Sequence, residues 1–129
     1  MNKFKLVFED YKKAVSQLQK ALARKAEDEL LQAGCLKYYE FCFELAWKSI
    51  KEAAAGEGLP DCLSPKACLK QAFALGWITD EKAWLSMLEA RNLMSHTYQA
   101  GQALQVYQKL PLYLEEFIIL QKALDKISG

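Results

Sequence analysis

Apolar side chains recur at three- and four-residue intervals along almost the whole of this 129-residue chain, and no segment sustains the two-residue alternation of a half-buried strand. Such a chain must fold as helices that each bury one stripe. Phe4, Val7, Phe8, Tyr11, Val15, Leu18 and Leu22 form the first stripe, separated by lysines and glutamines. A second runs from about 28 to 55 through Leu31, Cys35, Tyr38, Cys42, Leu45, Trp47 and Ile50, with Gly34 tolerated inside at some cost. Residues 56–61 (Gly-Glu-Gly-Leu-Pro-Asp) end it, and Ser64-Pro65 supplies an N-cap and a first-turn proline for a short helix closing near Gly76. Thr79-Asp80-Glu81 caps the next helix, which carries Trp84, Met87, Leu88, Arg91 and Met94 or Ser95 on one side. Gly101 is expected to interrupt the chain. A last helix is expected over about 102 to 126, with Leu104, Tyr107, Leu114, Phe117, Ile118, Leu120 and Leu124 facing inward and Pro111 marking a kink or restart.

These segments predict an all-α, up-and-down four-helix bundle with an additional short helix, formed by residues 1–129 as one domain. With 52% hydrophobic residues the chain has enough apolar surface for a substantial core. Seventeen Lys and Arg nearly balance sixteen Asp and Glu, so the broad positive field of a protein that coats nucleic acid is absent and any RNA contact must be local. No run approaches the ~18 apolar residues of a membrane span, and the charged and apolar mixture of residues 1–10 is unlike a signal sequence. No membrane association and a cytoplasmic location are expected. Cys35, Cys42, Cys62 and Cys68 form no C-x-x-C pair, and one histidine leaves little for a Cys/His metal site. All four read as reduced thiols, with no metal and no cofactor.

The chemistry concentrates in Arg91-Asn92-Leu93-Met94-Ser95-His96-Thr97-Tyr98, where the chain's one histidine follows an arginine by five residues. Imidazole moves protons near neutral pH, and guanidinium offers a fork of N–H donors that matches phosphate. The same pair also fits an ordinary helix arginine and a histidine favoured by the negative helix end. A guanidinium on a core-facing stripe requires an acid partner, a cleft or an interface. Glu44 is the first candidate acid and Glu40 the second, although both glutamates can equally face solvent and pair with Lys48 or Lys51. RNA cleavage by transesterification needs a base, an acid and a cation. One chain offers one imidazole, so a two-fold dimer joining two copies of Arg91 and His96 would supply both proton-transfer groups without a metal. Asn92 would then orient the phosphate or His96, and Ser95 would assist. Tyr98 falls either at the edge of that cleft or simply closes the helix end.

With these residues on the page, the chain resembles the HEPN-domain proteins, which carry an arginine, four to six residues, then a histidine. It is most similar to the branch of nucleotidyltransferase substrate-binding proteins. The matching stretches are Phe43-Glu44-Leu45-Ala46-Trp47-Lys48, Ser64-Pro65 with Ala72-Phe73, Trp84-Leu85-Ser86-Met87-Leu88, and Arg91-Asn92 followed by Ser95-His96-Thr97-Tyr98. Gln99 departs from the asparagine usual in the branch. The resemblance implies a helical bundle, a homodimer that joins two Arg/His sites, and a minimal nucleotidyltransferase encoded nearby. It further implies a toxin-antitoxin module in which the HEPN subunit is a metal-independent RNase. Arg91 and His96 would be catalytic, RNA the substrate, and Tyr98 the site where the partner transfers AMP to neutralise the toxin. The alternative within the same branch is a non-catalytic subunit that holds a substrate or nucleotide for the partner.

Overall fold

The computed structural model describes residues 2–24, 28–94 and 99–128, and within them the chain forms five helices. They are α1 (Lys3–Leu22), α2 (Glu29–Gly56), α3 (Pro65–Ala74), α4 (Glu81–Met94) and α5 (Ala100–Ser128). Each of the first four begins where a short polar side chain accepts a backbone N–H: Asn2 from Phe4, Asp28 from Leu31, Ser64 from Ala67 and Asp80 from Ala83. Helices α2 and α3 both end on a glycine with positive φ, Gly58 at 75° and Gly76 at 78°. In each case the next residue's N–H reaches back to the helix, Leu59 to the Ala54 carbonyl and Trp77 to that of Ala72, so orphan carbonyls are satisfied as the chain turns.

Helix α2 touches all four others, whereas α1 packs, among the described residues, on α2 and α5 only. Ordered contacts fix the directions. The start of α1, at Phe4, lies by the ends of α2 and α5, at Gly56 and Ile127, while Tyr39 and Phe43 of α2 meet Met87 and Trp84 of α4 in reverse order, as Tyr113 and Phe117 of α5 meet Ser86 and Trp84. Helices α1 and α4 therefore run one way and α2 and α5 the other, as the bundle reading expects, with α3 as the short extra element. Phe117, in contact with Tyr11, Tyr39 and Trp84, joins four helices at one point. Buried hydroxyls are satisfied across the same core: Tyr11 donates to the Phe117 carbonyl at 2.6 Å and Tyr39 to that of Met87. Burial raises both phenols well above their usual range, so they remain protonated donors.

Several expectations are corrected. Cys62 and Cys68 form a disulfide, with Cα atoms 5.1 Å apart, while Cys35 and Cys42 are buried free thiols. The loop after α2 folds back on the first turn of α3 and brings two residues six apart in sequence within bridging distance. Gly101 lies inside the first turn of α5 instead of interrupting the chain. Pro111 is exposed within α5, which continues through it, so of the two expected outcomes the restart is the one that does not occur. Leu104 is 45% exposed, because the inward stripe of α5 runs through Val106, Leu110, Tyr113, Phe117, Leu120 and Leu124. On α2 the buried face is likewise centred on Leu36, Tyr39, Phe43 and Ala46, with Tyr38, Leu45 and Trp47 packed at its margin.

Alkylation of the unfolded protein without reductant should therefore label Cys35 and Cys42 alone, and all four cysteines after reduction, as read by mass. A second test concerns Glu116, half-buried on α5. Burial pushes its carboxyl up, the neighbouring Asp80 pushes the same way, and the Trp84 indole N–H opposes them. A carboxyl raised in the folded state favours folding at pH below its ordinary value, and that contribution is lost as pH climbs through the raised one. Glu116→Gln, which keeps the shape and removes the charge, should melt higher than the parent at pH 7, and the gap should close toward pH 4 in a thermal series.

Candidate functional site

Arg91 occupies the last turn of α4, and its side chain leans back toward the helix N-terminus as helical side chains do. That direction carries the guanidinium to the middle of α2. There Nη2 donates to Glu44 Oε1 at 2.9 Å, and Nε lies 2.9 Å from Oε2 in an ion pair without the alignment of a hydrogen bond. The carboxylate thus covers the Nε/Nη2 edge of Arg91. Both side chains are about one-third exposed, so the pair sits at the floor of an open surface and not in the core. Asn92 Oδ1 accepts from Arg91 Nη1 at 3.1 Å.

Helix α4 is held in axial register one turn before Arg91. Tyr39 donates to the Met87 carbonyl, Ser86 and Tyr113 share a hydrogen bond of 2.8 Å, and the Tyr39 and Tyr113 rings stack at 5.5 Å. These contacts tie α4 to α2 and α5 at the level from which Arg91 projects. Beyond Met94 a concavity of about 240 Å³, lined by Leu36, Glu40, Leu93, Gln102 and Val106, abuts the end of α4.

Of the site residues read from the sequence, the structure brings Arg91, Asn92 and Glu44 together. Ser95, His96 and Tyr98 lie outside the described residues. Glu40, the second candidate acid, pairs instead with Lys37 at 3.6 Å, and Lys51 faces Asp61 at 3.9 Å. One participant was missed as such: Trp47, read as a core residue, donates its indole N–H to Glu44 Oε1 at 3.3 Å. The signal was the i, i+3 spacing of an indole donor and a carboxylate. Among the described residues no group of three or more His, Cys, Asp or Glu is placed to hold a metal ion.

A family profile described as nucleotidyltransferase substrate binding protein like matches residues 6–126. The chain belongs to this family. Within the nucleotidyltransferase substrate-binding proteins and their relatives, it is 30% identical over 100 residues to a Haemophilus influenzae protein named probable ribonuclease HepT, an alignment covering 74% of this chain and 68% of the relative. Among solved structures, a Thermus thermophilus protein superimposes with a TM-score of 0.79 at 24% identity, over 92% of this chain and 99% of that one. A Haemophilus influenzae structure, described as revealing the fold of a substrate binding domain of a nucleotidyltransferase, gives 0.69 at 24% identity over 99% and 98% of the two chains. A tri-AMPylated Shewanella oneidensis HEPN toxin, solved in complex with MNT antitoxin, gives 0.73 at 18% identity over 98% and 99%. Together these likenesses establish the HEPN-like helical fold for this family member.

The Glu44–Arg91 pair should contribute to stability between the ~0.2–1 kcal/mol of exposed pairs and the ~3–5 kcal/mol lost on breaking a buried one. Glu44→Ala is expected to cost about 1–2 kcal/mol in urea unfolding with an unchanged slope.

Proposed function

We infer that this protein is the HEPN subunit of a two-protein module and a metal-independent endoribonuclease restrained by a minimal nucleotidyltransferase. The observation that carries the reading is the way Arg91 is held. Glu44 takes its Nε/Nη2 edge and Asn92 Oδ1 accepts from Nη1, so Nη1 and Nη2 each keep one further N–H, and a guanidinium with donors on both terminal nitrogens matches two phosphate oxygens. The named ribonuclease relative and the toxin–antitoxin complex of the Shewanella neighbour support the same direction.

In this reading two chains pair and place two copies of Arg91 and His96 around one phosphodiester. One imidazole takes the proton of the ribose 2′-hydroxyl as its oxygen attacks phosphorus. The arginines stabilise the charge of the phosphorane, and the second, protonated imidazole donates to the departing 5′-oxygen. The products carry a 2′,3′-cyclic phosphate and a 5′-hydroxyl. Asn92 orients Arg91, and Ser95 assists near His96. Control is by the partner's transfer of AMP from ATP to the Tyr98 hydroxyl oxygen, with loss of the hydroxyl proton and departure of pyrophosphate, which adds bulk and negative charge two residues from the base. The module acts on RNA in the cytoplasm; no described helix is long and apolar enough to cross a membrane.

A second reading has its own support. The family description and one structural neighbour both speak of substrate binding, and near-neutral net charge suits a narrow ligand better than long RNA. In it, the Arg91 fork holds a nucleotide phosphate for the partner enzyme.

Cleavage of labelled RNA in EDTA by protein expressed without a partner separates the two. On the RNase reading the parent yields cyclic-phosphate ends, and His96→Ala or Arg91→Ala falls by about 10²- to 10⁴-fold without loss of helical signal. A parent of confirmed unmodified mass that cleaves no RNA at any concentration would instead favour the substrate-binding subunit.

A further inference from the structure

Trp47 lies almost one turn beyond Glu44 on α2, and its indole N–H reaches the same oxygen, Oε1, that accepts from Arg91 Nη2. A glutamate turns about three side-chain torsions and has no fixed orientation of its own. The indole has two torsions and is packed at the margin of the core. Of the two side chains on α2, Trp47 is therefore the anchored one and Glu44 the one that needs holding. The direction in which Glu44 is held decides which donors of Arg91 remain. A carboxylate rotated onto the Nη1/Nη2 fork would cover the edge that matches a phosphate; on the Nε/Nη2 edge it leaves one N–H on Nη2 and, beside the one that Asn92 Oδ1 accepts, one on Nη1.

We propose that Trp47 is a positioning residue of this site, whose indole N–H keeps Glu44 on the Nε side of Arg91 and so reserves the outer guanidinium fork for a phosphate group. The proposal deepens the phosphodiester reading and rests on it for the identity of the ligand. It assigns Trp47 no contact with substrate.

Trp47→Phe keeps an aromatic ring and removes the donor. The first readout does not involve catalysis. In ¹H–¹⁵N spectra the Trp47 indole resonance, assigned by its absence from Trp47→Phe, should move in Glu44→Gln and in Arg91→Lys, while that of Trp77 stays in place. The second is kinetic. Trp47→Phe should lower kcat/KM for RNA about three- to tenfold, the scale of one ordinary intramolecular hydrogen bond, with a melting temperature near the parent's. In a Glu44→Gln background the same substitution should add less than about twofold, because both changes act through one carboxylate. A merely structural Trp47 would give additive losses and a lowered melting temperature. An indole resonance unmoved by both substitutions, or parental kcat/KM in Trp47→Phe, overturns the proposal. A parent that cleaves no RNA defeats the RNase reading alone, and the indole resonance then decides the role of Trp47 by itself.

Discussion

One helix pressed on by every other helix sets the terms for this molecule. Because α2 contacts α1, α3, α4 and α5, its central turns are apolar over most of their circumference, and a polar group there must find a partner or an opening. Tyr39 and Glu44 meet that condition in different ways. Tyr39 is fully buried and spends its hydroxyl on the α4 backbone; Glu44, at the rim, spends its carboxylate on an α4 side chain. Both contacts bind α2 to the helix that carries Arg91, so the packing that makes the core also aims that side chain.

Much of this was legible in the residues. Helix existence and direction followed from the three- and four-residue recurrence and from caps such as Ser64-Pro65 and Asp80, because local hydrogen bonding and burial decide those features. The pairing of Arg91 with Glu44 was also accessible, since a charge on an apolar stripe demands an acid and α2 offers few. What the sequence concealed was rotational phase and proximity. On α5, Leu104 satisfies the helical period as well as Val106 does, and only the position of α2 and α4 decides which one is covered. Gly101 and Pro111 signal breaks that the helix absorbs, since one lies in its first turn and the other faces solvent. The Cys62–Cys68 bridge depends on a loop folding back on α3, which spacing alone does not report.

The site itself combines both kinds of information. A bare arginine-to-histidine interval is compatible with any amphipathic helix, and the ordered set of family stretches narrows it. The structure adds the electrostatic frame: an arginine paired with Glu44, steadied at Nη1 by Asn92, and carried on a helix that Tyr39 and Tyr113 hold about one turn earlier. In both proposed functional readings, this arrangement preorganises the guanidinium for an oxyanion, whether the ligand reacts or is only held.

The disulfide joins residues only six apart, between the end of α2 and the first turn of α3. A cross-link that local removes little freedom from the unfolded chain, on the order of 2 kcal/mol, and spans none of the contacts by which α1, α2, α4 and α5 hold one another. Reduction should therefore loosen the α2–α3 connection first, because the contacts among α1, α2, α4 and α5 do not run through the bridge.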